Sequence, residues 1–116
     1  METHTAAEIL ASLGHESRLA IFRLLVEAGP QGIHATAIGE KLGIANATLS
    51  FHLAHLSRVG LIKGERESRF IHYSTEYATM DELIAFLTQN CCQGGQCLPQ
   101  AASVTTIAKR RDGSVR

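Results

Sequence analysis

Apolar residues recur with a helical period through most of this chain. From Asn46 to Gly60, NATLSFHLAHLSRVG, Leu49, Leu53, Leu56 and Gly60 fall on one stripe, with His52 at its border. Ala47, Ser50, Phe51, Ala54 and Arg58 lie opposite. A shorter periodic piece, His34 to Leu42, carries Ile38 and Leu42 behind Ile33 and stops at Gly43. Ala6–Leu13 reads as a helix with Ile9, Leu10 and Leu13 on one face, ended by Gly14. Glu16–Glu27 reads as a core helix with a Leu19, Phe22, Val26 stripe, Leu25 beside it, and Arg18 and Arg23 off it. Gly29-Pro30-Gln31-Gly32 is a loop by turn chemistry. Leu61-Ile62 starts a strand, and Phe70–Thr75 alternates with Ile71 and Tyr73 on one side, which predicts a two-stranded β-hairpin. Thr79-Met80-Asp81-Glu82 has capping-box spacing and opens a helix to about Asn90, with Met80, Leu83, Ile84 and Leu87 on one face. After Leu98-Pro99 the periodicity ends. The pattern predicts a mainly α fold with one small hairpin.

The outer face of Asn46–Val59 changes the picture. It holds small residues, one aromatic and one cation where a solvated helix would hold Glu and Lys. Small residues permit close approach to a grooved partner. Two short helices joined by a tight glycine turn read as a helix-turn-helix, whose second helix enters a DNA major groove. The alternative is an ordinary amphipathic pair within a core.

At 116 residues the chain is one domain with a modest core. No apolar run reaches membrane-spanning length, so no membrane partner is expected. METHTAAEILASLG has no basic leading region, so a secretory signal is not expected. The net charge of +0 conceals an uneven distribution. Arg58, Lys63, Arg66 and Arg69 outnumber Glu65 and Glu67 between residues 46 and 75. Lys109, Arg110, Arg111 and Arg116 outnumber Asp112 in the last stretch. Glu76, Asp81 and Glu82 are the only charges from 76 to 100. A local basic surface, not the net balance, is the electrostatic signature of a nucleic-acid partner.

From Ile9 to about Thr75 the chain resembles the ArsR/SmtB family of metal-responsive winged-helix repressors. The resemblance rests on LGHESRLAIFRLL (Leu13–Leu25), TLSFHLAHLSRVGLI (Thr48–Ile62) and RFIHYS (Arg69–Ser74). It implies a mainly α, winged helix-turn-helix fold with a two-stranded wing. It also implies a cytoplasmic homodimer, joined through the first and last helices, that represses an operon and leaves operator DNA when an effector binds. On that reading residues 1–98 form the DNA-binding and dimerisation domain with the cysteine site, and residues 99–116 a mobile basic tail. Ser50 and Phe51 are expected to face bases, with Asn46, Ala47 and Thr48 near phosphates or base edges and Arg58 on the same face. Phe51 is suited to a thymine methyl; the alternative is that it packs against the wing. Arg66 and Arg69 are expected on the DNA backbone or in the minor groove. Two departures stand out. Ala45 occupies a position where a capping Ser is common, leaving Asn46 to cap one residue later. Glu67-Ser68 occupies a wing tip that usually holds Gly.

Cys91, Cys92 and Cys97 are the only cysteines, within NCCQGGQC, and Gly94-Gly95 lets the chain turn back between them. Clustered cysteines of this kind are metal-binding or redox-active more often than structural. Three thiolates without a nearby His suit a three-coordinate soft ion, whereas structural zinc prefers four N/S ligands. Trivalent arsenic takes three sulfurs in a pyramid, and one subunit could supply them all. The metal sites elsewhere in the family do not carry over. His34, Thr36 and Gly39 stand where the original arsenic site has its cysteines, and no His lies between Ser74 and Arg116 for a zinc or cobalt site on the last helix. What remains resembles the arsenite sensors with a vicinal cysteine pair and a third cysteine after the last helix. That implies As(III) as effector. Antimonite, methylarsenite, cadmium, mercury, copper(I) or zinc sensing and a thiol redox switch stay open. Adjacent residues on a regular helix point about 100° apart, so binding is expected to fray the last helix near Asn90.

His4, His15, His34, His55 and His72 read as surface or capping residues, and His52 as a packed, hydrogen-bonded one. No phosphate-cradling loop, serine elbow or carboxylate pair suggests an enzyme. A cysteine-dependent enzyme such as an arsenate reductase is the remaining catalytic alternative.

Overall fold

The structure is a computed structural model that describes residues 1–94. The chain divides into Met1–Phe86 and Leu87–Arg116. The first unit opens with α1 (Thr3–Leu13) and α2 (Glu16–Ala28). Helix α1 starts before Ala6, and its spacing of Ala6, Ile9 and Ser12 turns those residues inward. Helix α2 is capped by the His15 imidazole, which accepts the Ser17 N–H, and it ends at Gly29 with φ +88°. Ile21, Phe22 and Leu25 are its buried residues, and Leu19 is exposed. The expected stripe was therefore rotated by about one residue. A Leu19–Phe22–Val26 register and an Ile21–Leu25 register differ by only a fraction of a turn in an apolar sequence.

Strand β1 (Ile33–His34) leads directly into α3 (Ala35–Leu42), which stops at Gly43 in the left-handed conformation, φ +68°. Helix α4 (Asn46–Arg58) follows, with Ala45 at its N-cap and no side-chain cap. Asn46 is thus the first helical residue and not the cap. Strands β2 (Ile62–Glu67) and β3 (Phe70–Thr75) form the hairpin, pairing Ile62 with Thr75 and Glu67 with Phe70. Ser68 takes φ +60° at the tip without glycine.

The sheet has three strands, in the order β1-β3-β2, not the two expected. Ile33 pairs with Tyr73, and His34 with His72, in antiparallel register. Two residues give no visible alternation, which hid β1 at the edge of the helix pattern. Gly32, at φ +73°, brings the chain onto β3 so closely that a Cβ there would run into the Tyr73 carbonyl oxygen.

Helix α5 (Tyr77–Thr88) begins before Thr79 and ends before Asn90. Thr79 lies inside its first turn, where its N–H bonds the Glu76 carbonyl, so Thr79–Glu82 is not a capping box. Ile9, Ile21, Leu25, Ile38, Leu56 and Leu61 are fully buried and draw all four leading helices onto the base of the hairpin. Leu83 joins that core, while Leu10 and Ile84 are exposed. Among the described residues no helix is long and apolar enough to cross a membrane.

Candidate nucleic-acid interface and thiol pair

Helix α4 is anchored by its inner side. Leu49, His52, Leu53 and Leu56 are buried, at the i, i+3, i+4, i+7 spacing of one helical face. That leaves Asn46, Ala47, Thr48, Ser50, Phe51, Ala54 and Arg58 exposed on the other. The helix contains no carboxylate. Phe51 is 62% exposed. Its ring neighbours are His52 and His55 of its own helix, at centroid distances of 5.6 and 6.2 Å. Phe51 therefore projects outward, and its ring partners are not on the wing. Strand β2 packs against α4. Arg66 and Arg69 are both exposed on the hairpin. Glu67 is turned back onto His72, with Oε1 3.2 Å from Nε2.

These side chains form a surface suited to a polyanion. Small residues let the α4 backbone approach a groove, and cations stand at its end and on the hairpin beyond. If Arg66 and Arg69 meet phosphates, Arg66→Ala and Arg69→Ala will each weaken duplex binding across sequences. Each will also lower the slope of log affinity against log salt by about one. Unchanged slopes in a fluorescence titration would remove the hairpin from the interface.

Behind α4 lies a polar cluster that the sequence reading missed. Arg18 of α2 donates from Nε to the Ser12 carbonyl oxygen at 2.7 Å, and its Nη1 lies 3.2 Å from His52 Nδ1. Ser12 Oγ lies 3.0 Å from His55 Nδ1. The His15 ring lies against His52, tilted by 49°, at a centroid distance of 4.6 Å. His52 is 4% exposed and Ser12 fully buried. Burial, then electrostatic repulsion from His15, Arg18 and His55, pushes the His52 imidazole below its ordinary pKa. Burial first, then Arg18 and Arg58, does the same to His55. The packed, hydrogen-bonded reading of His52 holds, and His15 caps as expected; His55 is half-buried, and its inner ring nitrogen meets Ser12. A signal was present in the sequence. Arg18 stands at i, i+3, i+4, i+7 with Ile21, Phe22 and Leu25, so a cation occupied the core stripe once the register was set correctly.

In the second unit, Cys91–Gly94 forms a 3-10 turn beyond α5. Cys92 has φ +57°, and the Cys91 and Cys92 sulfurs lie 3.8 Å apart. The helix ends before these residues, so two adjacent sulfurs converge without any fraying by an ion. Two ligands about 2.3 Å from a shared tetrahedral ion stand about 3.8 Å apart, so the spacing itself suits soft-metal ligation once both are thiolates. Cys97 and the 99–116 tail lie outside the described residues. Among the described residues no group of three His, Cys, Asp or Glu side chains is placed to hold a metal ion.

A family model described as a helix-turn-helix domain matches residues 13–65. The HTH-type transcriptional regulator YbzH of Bacillus subtilis (strain 168), itself uncharacterized, is 34% identical over 92 residues, which is 69% of this chain and 92% of that protein. The structure of reduced HlyU from Vibrio cholerae N16961 matches with a TM-score of 0.61 and 25% identity, over 78% of this chain and 93% of that one. HlyU is named a transcriptional activator. A homodimeric winged helix-turn-helix domain from Mycobacterium bovis, a possible ArsR-family regulator, matches in fold with a TM-score of 0.59 and 23% identity, over 83% of this chain and 89% of that one.

Proposed function

As this chain belongs to the helix-turn-helix transcriptional regulators and has the winged fold of the ArsR-like ones, we propose that it is a homodimeric repressor released from operator DNA by trivalent arsenic on Cys91, Cys92 and Cys97. The observation that carries the DNA half is the outer face of α4, free of acid and rich in small side chains around an exposed Phe51. One α4 enters the major groove of each half-site of an inverted repeat, and the hairpin reaches the flanking backbone. The exposed Leu10 of α1 and Ile84 of α5 favour a second copy as the partner of those helices, as does the homodimer of the Mycobacterium domain. Antimonite and methylarsenite share the thiol chemistry.

The effector half rests on the thiol pair, whose 3.8 Å spacing suits one soft ion. Ion binding to the off-DNA arrangement must weaken DNA binding by the same coupling free energy, commonly about 1–3 kcal/mol. The closeness of the two sulfurs also favours a second reading, in which oxidation of the cysteines rather than metal ligation switches the regulator.

One titration separates the two. Operator release is followed with arsenite, antimonite, cadmium, zinc and peroxide, for the wild type and for Cys91→Ser, Cys92→Ser and Cys97→Ser. On the arsenic reading every variant binds operator in reducing buffer and none is fully released by arsenite. A Cys97→Ser variant that responds like the wild type points to a two-thiolate site. Release by peroxide alone transfers the function to the redox reading. Variants that behave as wild type toward every agent remove the cysteines from the switch.

A further inference from the structure

The recognition face of α4 is held in place by the buried polar cluster behind it. Arginine can only donate hydrogen bonds, so the 3.2 Å contact from Arg18 Nη1 requires an unprotonated Nδ1 on His52. The His15 Nδ1 that receives the Ser17 N–H is likewise without its proton. His55 Nδ1 meets the Ser12 hydroxyl, which can serve as donor or acceptor. Ser12 belongs to α1, Arg18 to α2, and both imidazoles to α4, so the cluster joins three helices at one point.

We propose that protonation of His52 and His55 frees α4 from α1 and α2, so that operator binding weakens as pH falls. The proposal rests on α4 being the DNA-reading helix. Every electrostatic influence from the side chains around the two rings disfavours their protonation: His15 from the cap of α2, Arg18 from α2, and Arg58 from α4. From α1 the cluster meets only the neutral Ser12 hydroxyl and carbonyl. A proton on His52 Nδ1 removes the acceptor for Arg18 and sets two cations in contact within the core. The rings can be charged in this arrangement only at a cost that a displaced α4 relieves by letting water reach them.

The sign follows from linkage. Both imidazoles are held below their ordinary pKa in the folded chain, so the unfolded chain takes up protons first. Their contribution to stability is complete above the unfolded value of about 6.5 and is lost as pH falls through the depressed folded value. If operator DNA selects the anchored α4, it also selects the neutral rings and must lower their pKa further. A generic effect of acidification has the opposite sign, because added positive charge strengthens non-specific binding to DNA.

The probe is a duplex selected by the full-length protein from a random library at about pH 7.5, with a scrambled duplex as control at constant salt. The wild type is expected to lose preference for the selected duplex progressively as pH falls below about 6.5, approaching about tenfold per imidazole only below both its free and its bound pKa if the two differ by about one unit. The double variant His52→Asn/His55→Asn keeps an acceptor near each Nδ1 position and cannot titrate, so its preference is expected to stay flat. A wild-type preference that holds or rises on acidification overturns the proposal, and so does an equal fall in the variant. Should the variant fail to fold, NMR titration of the wild-type imidazoles decides instead. Their pKa values are expected to be lower with the selected duplex than without it, and equal values overturn the proposal. Failure to select any duplex at pH 7.5 defeats the DNA reading itself, whereas selection with flat pH dependence defeats only the switch.

Discussion

Ala54→Glu is expected to abolish operator binding and leave the fold intact. Ala54 lies on the exposed face of α4, between Phe51 and Arg58, and is not among the buried residues that anchor the helix. Glu is a good helix former, so the exchange costs the helix only a few tenths of a kcal/mol. On the operator the same exchange sets a carboxylate among phosphates and props the helix off the groove floor. Like-charge juxtaposition in an interface costs several kcal/mol, which corresponds to a loss on the order of a hundredfold or more. Titration of a labelled duplex, with circular dichroism to show unchanged helix content, checks both halves. Wild-type affinity in this variant would place the DNA-facing side of α4 elsewhere.

Gly32→Ala has the largest expected effect on stability. At φ +73° any Cβ is strained, and here it would also meet the Tyr73 carbonyl, with Ser74 Cβ only 3.3 Å away. Backbone cannot step aside as a side-chain end can, so β1 must lift from β3 or the loop must rebuild. The expected cost is about 2–4 kcal/mol, read as a lower midpoint in urea unfolding. Gly43 supplies the control. It has a similar φ of +68° but nothing within 4 Å of an added Cβ, so Gly43→Ala should cost only the left-handed penalty of about 1–2 kcal/mol. Equal losses in the two variants would show that the close approach to Tyr73 contributes nothing.

The elements that were legible in the sequence are those whose own residues specify them. Helix α4 could be read whole because Leu49, Leu53 and Leu56 fix its inner side and leave one outer side. The hairpin could be read because its strands are joined locally. Strand β1 was not, since two residues carry no period and its partner lies near residue 73. The start of α5 was misread because Thr79 and Glu82 mimic a cap that the chain does not use. The buried cluster was missed for a related reason. Ser12, Arg18, His52 and His55 come from three helices, and only the packing of those helices shows that a cation, two imidazoles and a hydroxyl satisfy one another. The candidate DNA side chains, by contrast, were readable as the residues the core did not need.

The pairing of β1 with β3 has a consequence for the operator rather than for the protein. His34 is hydrogen-bonded into the sheet beside His72 and is followed at once by the first residue of α3. The strand that leads from the wing tip is therefore paired with the chain entering the helix pair, which restrains the hairpin against α3. A rigid reader tolerates a changed letter better than a changed distance. A base substitution under α4 removes one contact, whereas one base pair inserted between the segment under α4 and the segment under the wing rotates the second segment by about 34° and shifts it by about 3.4 Å. If α4 and the wing both contact DNA, a wing that followed this shift would strain the pairing of β1 with β3. Functional operators should therefore vary in composition at single positions and hold their helical phasing fixed within each half-site.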